Sequence, residues 1–145
     1  LSPGNRDRLR RVNELSTLDL LLKIDEAKIK KPTRRVEIKR LSELVGEKVV
    51  FTCEAVTHDR LTEIQEMSVD YKTQEADISE LQIQTVLSGI KEPDLKNKEL
   101  MEKFKAHTPK ELLKKMLLTG EITNLYNVIS ELSGFGAGAV EEIKN

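Results

Sequence analysis

The hydrophobic periodicity of this chain changes after Ala55 from two residues to three and four, and that change constrains its fold class. Val36-Glu37-Ile38-Lys39-Arg40-Leu41 alternates apolar and charged residues, and the alternation returns across Phe51, Cys53 and Ala55 within Val49–Val56. A period of two is that of a strand with one face buried. From Thr57 onward the apolar residues fall three and four apart, the spacing of helices that bury one stripe. The expected fold is therefore α+β, a small antiparallel hairpin followed by a compact cluster of four to five helices. Leu41 to Lys48 contains Gly46 and exceeds a two-residue turn, so the hairpin is expected to have a wide connection. Two strands alone are marginal in water, and the helices must cover them.

Helix starts are marked by side chains that can cap. Thr57-His58-Asp59 precedes Leu61, Ile64 and Met67, and Asp77-Ile78-Ser79-Glu80 reads as a capping box ahead of Ile83, Val86, Leu87 and Ile90, with Pro93 as the stop. Asn97 precedes Leu100, Met101 and Phe104. Thr108-Pro109-Lys110-Glu111 joins a Thr cap, a Pro at the first helical position and a Glu at the third, ahead of Leu112, Leu113, Met116 and Leu117. Thr119-Gly120 is expected to break that helix and Glu121 to open the last one, with Ile122, Leu125, Tyr126, Ile129 and Leu132 inward. Gly134 stands where a left-handed C-cap is wanted.

The ends differ from this body. Residues 1–14 are Arg-rich (Arg6, Arg8, Arg10, Arg11), without an apolar face, and read as a flexible basic arm. Residues 15–31 read as a short amphipathic helix, with Leu15, Leu18, Leu21 and Leu22 around a Ser16/Thr17 start, plus a charged linker. Residues 32–136 form the expected single α+β domain, and 137–145 a flexible tail. With 145 residues, two ordinary cores would be cramped. The chain begins at Leu1 and not Met, which reads as a fragment, a processed end or a cloning remnant.

Function classes fall away on chemistry. His58 and His107 have no second ligand at metal spacing, Cys53 alternates with core residues, and Gly134–Gly138 follows a helix, whereas a dinucleotide loop follows a strand. Carboxylate pairs such as Glu63/Glu66, Glu92/Asp94 and Glu141/Glu142 read as solvated helix faces. The expectation is no enzyme, no cofactor and no metal. One cysteine argues against a disulfide-stapled exported domain, and neither a signal peptide nor an apolar run long enough to cross a bilayer is present.

Charge raises the question of nucleic acid. Residues 1–40 carry twelve Lys/Arg against six Asp/Glu, and the remainder twelve against nineteen. A DNA-binding regulator using the C-terminal helix pair and the basic arm is the alternative reading. Against it, the last helix carries Glu121 and Glu131 without Lys or Arg, and aromatic platforms are scarce. What remains is binding surface. Leu15, Leu18, Leu21, Leu22 and Phe135 are the candidate partner-binding residues, and the oppositely charged ends permit self-association.

The ordered set of Val36–Leu41, Gly46-Glu47 entering a Val-Phe strand, Ile90–Leu95, Thr108–Leu112, Gly120–Ile122 with Leu125-Tyr126, and Leu132–Gly136 resembles the XkdN-like phage tail assembly chaperones of Gram-positive phages and prophages. The resemblance covers about Ser16 to Gly136 and implies a non-enzymatic role in building a long tail. It implies the tape measure protein and the major tail tube protein as partners, the host cytoplasm as location, and absence from the mature virion. It also implies that a longer, frameshifted product would branch after the Gly136 region. The family offers no catalytic motif to carry over.

Overall fold

The structure, a computed structural model, describes residues 15–144, so the arm expected over residues 1–14 lies outside the described residues. The chain divides between Lys30 and Lys31 into two units, each described by itself.

In the first unit, helix α1 (Thr17–Leu22) opens on a reciprocal cap. The Ser16 hydroxyl oxygen accepts the Asp19 N–H at 3.1 Å, and the Asp19 carboxylate accepts the Ser16 N–H at 3.3 Å. A single 3-10 turn, Glu26–Lys28, follows, with the Asp25 carboxylate accepting the Ala27 N–H at 3.0 Å.

The second unit is α+β. Strands β1 (Thr33–Glu37), β2 (Val50–Glu54) and β3 (Ile90–Glu92) form an antiparallel sheet in the order β1-β2-β3. The expected hairpin is present, with Thr33 opposite Glu54 and Glu37 opposite Val50. It differs from the expectation in three respects. The first strand ends at Glu37, and Lys39–Val45 forms a helix, α2, between the strands. Gly46, at φ +86°, ends α2 in the left-handed region that glycine enters without steric cost. Third, the sheet gains β3 because helix α4 (Ile78–Gly89) stops at Gly89, before Pro93, and Ile90 turns extended to sit opposite Cys53.

Five helices follow the β1-β2 pair: α3 (His58–Met67), α4, α5 (Lys98–Lys103), α6 (Pro109–Met116) and α7 (Thr119–Ser130). Thr57, Asp77, Asn97 and Thr108 each accept the N–H three residues on. Glu111 reaches past its cap, and its carboxylate accepts the His107 N–H at 2.9 Å. Helix α7 begins at Thr119, not after it. The break lies in the extended backbone of Leu117 and Leu118, and Glu121 satisfies the Leu118 N–H at 2.7 Å.

The core joins the inner sheet face (Phe51, Cys53) to Ile64 of α3, Val86 of α4, Leu112 and Leu113 of α6, and Leu125 and Ile129 of α7. Met67, expected inward, is exposed. Gly89 of α4 packs against Ile129 of α7 so tightly that an added Cβ would lie 2.6 Å from Ile129 Cδ1. Beyond α7 a π-helical turn (Glu131–Phe135) carries Gly134 at φ +95° in its expected left-handed conformation. The Ser133 hydroxyl donates to the Ile129 carbonyl at 2.7 Å and accepts the Val56 N–H at 3.0 Å, joining this turn to the end of β2.

Candidate interaction surfaces

Helix α1 has six residues and buries none of them. Leu18, Leu21 and Leu22 are 65%, 57% and 74% exposed, whereas Leu15, just ahead of the cap, is half-buried. Leu20, which the heptad-like spacing passes over, is exposed as well. So short a helix has no stability of its own in water, and apolar side chains left in solvent forgo roughly 1.5–3 kcal/mol each on full burial. In the second unit Phe135 is 69% exposed, at the rim of a 320 Å³ hollow lined by Leu61, Leu81 and Tyr126. Leu18, Leu21 and Leu22 thus share one helix, Leu15 stands just before it, and Phe135 belongs to the other unit.

A groove of 480 Å³ runs between the β1–α2 junction and α7, lined by Val36 to Arg40 on one side and by Leu118, Glu121, Asn124, Leu125 and Val128 on the other. At one end Arg40 clasps Glu121, with Nη2 to Oε1 at 2.7 Å and Nε to Oε2 at 3.1 Å. The Arg40 hydrogen bonds hold the Glu121 carboxyl below the usual carboxylate range, and the bond from Leu118 adds to the effect. Just past the end of α7, Arg34 of β1 pairs with Glu131 at 2.9 Å. Both acidic residues that argued against nucleic acid, Glu121 on this helix and Glu131 just after it, are therefore matched by arginines of the strand–helix segment. The two pairs unite residues 81 and 97 positions apart, which no local pattern announces.

A further hollow of 760 Å³ is lined by Arg60, Lys91, Lys96 and Lys110 with Ser88, Asp94 and Thr108. Its cations are partly matched from within: Lys110 donates to Glu80 at 2.6 Å, and Arg60 to Ser88 at 2.9 Å and Glu63 at 2.8 Å. The bond from Lys110, aided by Gln84, lowers the Glu80 carboxyl below its usual range. Cys53 lies fully buried in the core, where desolvation pushes its thiol up to about 11. A thiol so placed is a small core residue, not a nucleophile. Among the described residues no three His, Cys, Asp or Glu side chains converge as a metal site, and no helix is long and apolar enough to cross a membrane.

Comparison with known proteins bears on these surfaces. Residues 18–144 match the family described as phage XkdN-like tail assembly chaperone protein. The uncharacterised protein YqbN of Bacillus subtilis (strain 168) is 30% identical over 105 residues, which is 67% of this chain and 70% of that protein. A crystal structure of YqbN superposes with a TM-score of 0.60 at 31% identity, covering 75% of this chain and 90% of that one.

Proposed function

Because this chain belongs to the phage XkdN-like tail assembly chaperone family, we propose that it acts by holding the tape measure protein and tail tube subunits during tail morphogenesis, without catalysing a reaction. The observation that carries this reading is the α1 face, where Leu18, Leu21 and Leu22 stand in solvent ahead of a separate folded unit. A chaperone needs apolar surface that its own core does not consume, and an amphipathic helix fits the groove or helix of a client. Phe135 offers a second contact of the same kind. We take residues 32–136 as the folded body, residues 15–31 as a client-binding helix with its linker, and residues beyond 136 as a tail. The host cytoplasm is the proposed place of action, with the protein absent from the finished virion.

Co-expression with the tape measure protein of the same genome tests this. The expected result is a rise in soluble tape measure protein and its co-purification. Both are lost in Leu18→Ser/Leu21→Ser/Leu22→Ser, while the far-ultraviolet dichroism of the chain is kept. No gain in solubility and no co-purification by the unaltered chain would sink the reading. The DNA-regulator alternative gains nothing from the structure, since α7 presents no Lys or Arg, and its Glu121 and the Glu131 that follows it are held by arginines of the same chain.

A further inference from the structure

We propose that the edge of β1, unpaired among the described residues, receives an extended, acidic segment of a partner protein as a fourth strand of the sheet. Three observations carry this.

The first is the ladder. The Ile38 N–H donates to the Val49 carbonyl at 3.0 Å, and the Ala55 N–H to the Pro32 carbonyl at 3.1 Å. Between these bonds the register runs without interruption. In an antiparallel pair the bonded positions alternate, so Arg34 and Val36 face Cys53 and Phe51 while Thr33, Arg35 and Glu37 turn their N–H and C=O groups outward. Among the described residues those three amides have no partner. They form the template onto which an extended peptide adds.

The second is charge. Residues 31–40 carry Lys31, Arg34, Arg35, Lys39 and Arg40 against Glu37 alone. Arg34, Arg40 and Lys31 are paired within the fold, whereas Arg35 and Lys39 have no ion pair among the described residues. Edge cations keep two like edges apart. The same cations favour a strand of opposite sign, which makes a second copy of β1 a poor occupant.

The third is the groove. Side chains of an added strand alternate between the two sheet faces. Every second one would point toward Val36, Leu118, Leu125 and Val128, and the others would lie beside Arg35 on the outer face. The fitting occupant alternates apolar and acidic residues. This surface is separate from the α1 leucines and Phe135, so its failure leaves the tail-chaperone reading standing, and the converse also holds.

The test uses the full chain, 15N-labelled, and a capped heptapeptide alternating valine and glutamate. Binding is expected to slow amide hydrogen exchange at Thr33, Arg35 and Glu37 by about tenfold or more, with little change at Arg34 and Val36, which are already bonded to β2. Methylating alternate peptide nitrogens on the pairing edge, or Arg35→Glu in the protein, is expected to weaken binding by about tenfold or more. Glu37→Pro deletes an outward donor while leaving the inner ladder and every positive charge in place, and it too should weaken binding. Should that variant fail to fold, the methylated peptide asks the same question of the unaltered protein. The proposal is overturned if the peptide does not bind, or if it binds without protecting those three amides. Equal binding of the methylated peptide or of a valine–lysine peptide overturns it as well. So does tighter, Arg35-dependent binding of a short DNA duplex, or self-association that protects the same amides without peptide.

Discussion

The Arg40 guanidinium lies against the Glu121 carboxylate while its Nη2 also donates to the Met116 carbonyl at 3.0 Å, so one arginine joins the start of α2, the end of α6 and the first turn of α7. This arrangement makes acid sensitivity predictable. The Glu121 carboxyl lies below its ordinary 4.5 through the Arg40 bonds, Glu80 through Lys110, and Glu111 through the His107 N–H and Lys115. Each binds its proton more readily in the unfolded chain. Their stabilisation is therefore complete above about pH 4.5 and is lost as pH falls through the folded values. Glu121→Gln should lower stability at neutral pH and flatten the decline below pH 4.5, as read from urea midpoints across an acid titration. Equal slopes for the two proteins would contradict the assignment.

Gly89→Ala is expected to destabilise the protein by about 1–3 kcal/mol through overpacking. The new Cβ would meet Ile129 Cδ1 and Cγ2 at 2.6 Å, and Ile129 is fully buried with nowhere to move. Adding Ile129→Val should recover part of the loss, because it removes one of the clashing carbons. Urea denaturation of the two singles and the double reads the coupling directly.

Leucines of the same type should separate into two classes. Leu113 is wholly buried, so Leu113→Ala should cost about 2–5 kcal/mol. Leu21→Ala, on the exposed face of α1, should stay within about 0.5 kcal/mol while reducing client binding. A large stability loss at Leu21 would mean that its side chain belongs to a core.

Cys53 should resist a thiol reagent at pH 8 in the folded protein and react only through global unfolding. Its sulfur is inaccessible and its thiol is held near 11. The labelling rate should therefore rise with urea in step with the unfolded fraction. Labelling at a rate independent of urea would reveal a local opening at β2.

The elements that were legible share one property. Ser16, Thr57, Asp77, Asn97 and Thr108 each place a polar side chain on an N–H three residues ahead, and the sequence reading located all five helix starts from those residues. Helices α2 and α7 are preceded at the N-cap by Ile38 and Leu118, whose side chains have no polar atom to announce a start. The sequence pattern puts the residues of α2 partly in the strand ending at Leu41 and partly in the wide connection Leu41–Lys48, and opens α7 at Glu121, two residues late. Ile90 extends the helical stripe of α4 in sequence, and only the approach of Cys53 from β2 shows that its backbone is extended. The family resemblance was legible because it rests on ordered local pieces, mostly caps and turns. The groove was not, because Val36 and Val128 become neighbours only after the chain has folded. Exposure of the α1 leucines was equally invisible, since amphipathic spacing is the same whether the apolar face docks or stands in water.

Ser133 gives the fold a mechanical property. Its hydroxyl is bonded at once to the Ile129 carbonyl and to the Val56 N–H, immediately before the left-handed Gly134. Tension applied through residues 136–144 therefore meets the sheet at Val56 before it can peel α7 from its C-terminal end. A pull on the tail loads the small hydroxyl bridge first and the buried helix face only after that bridge has yielded.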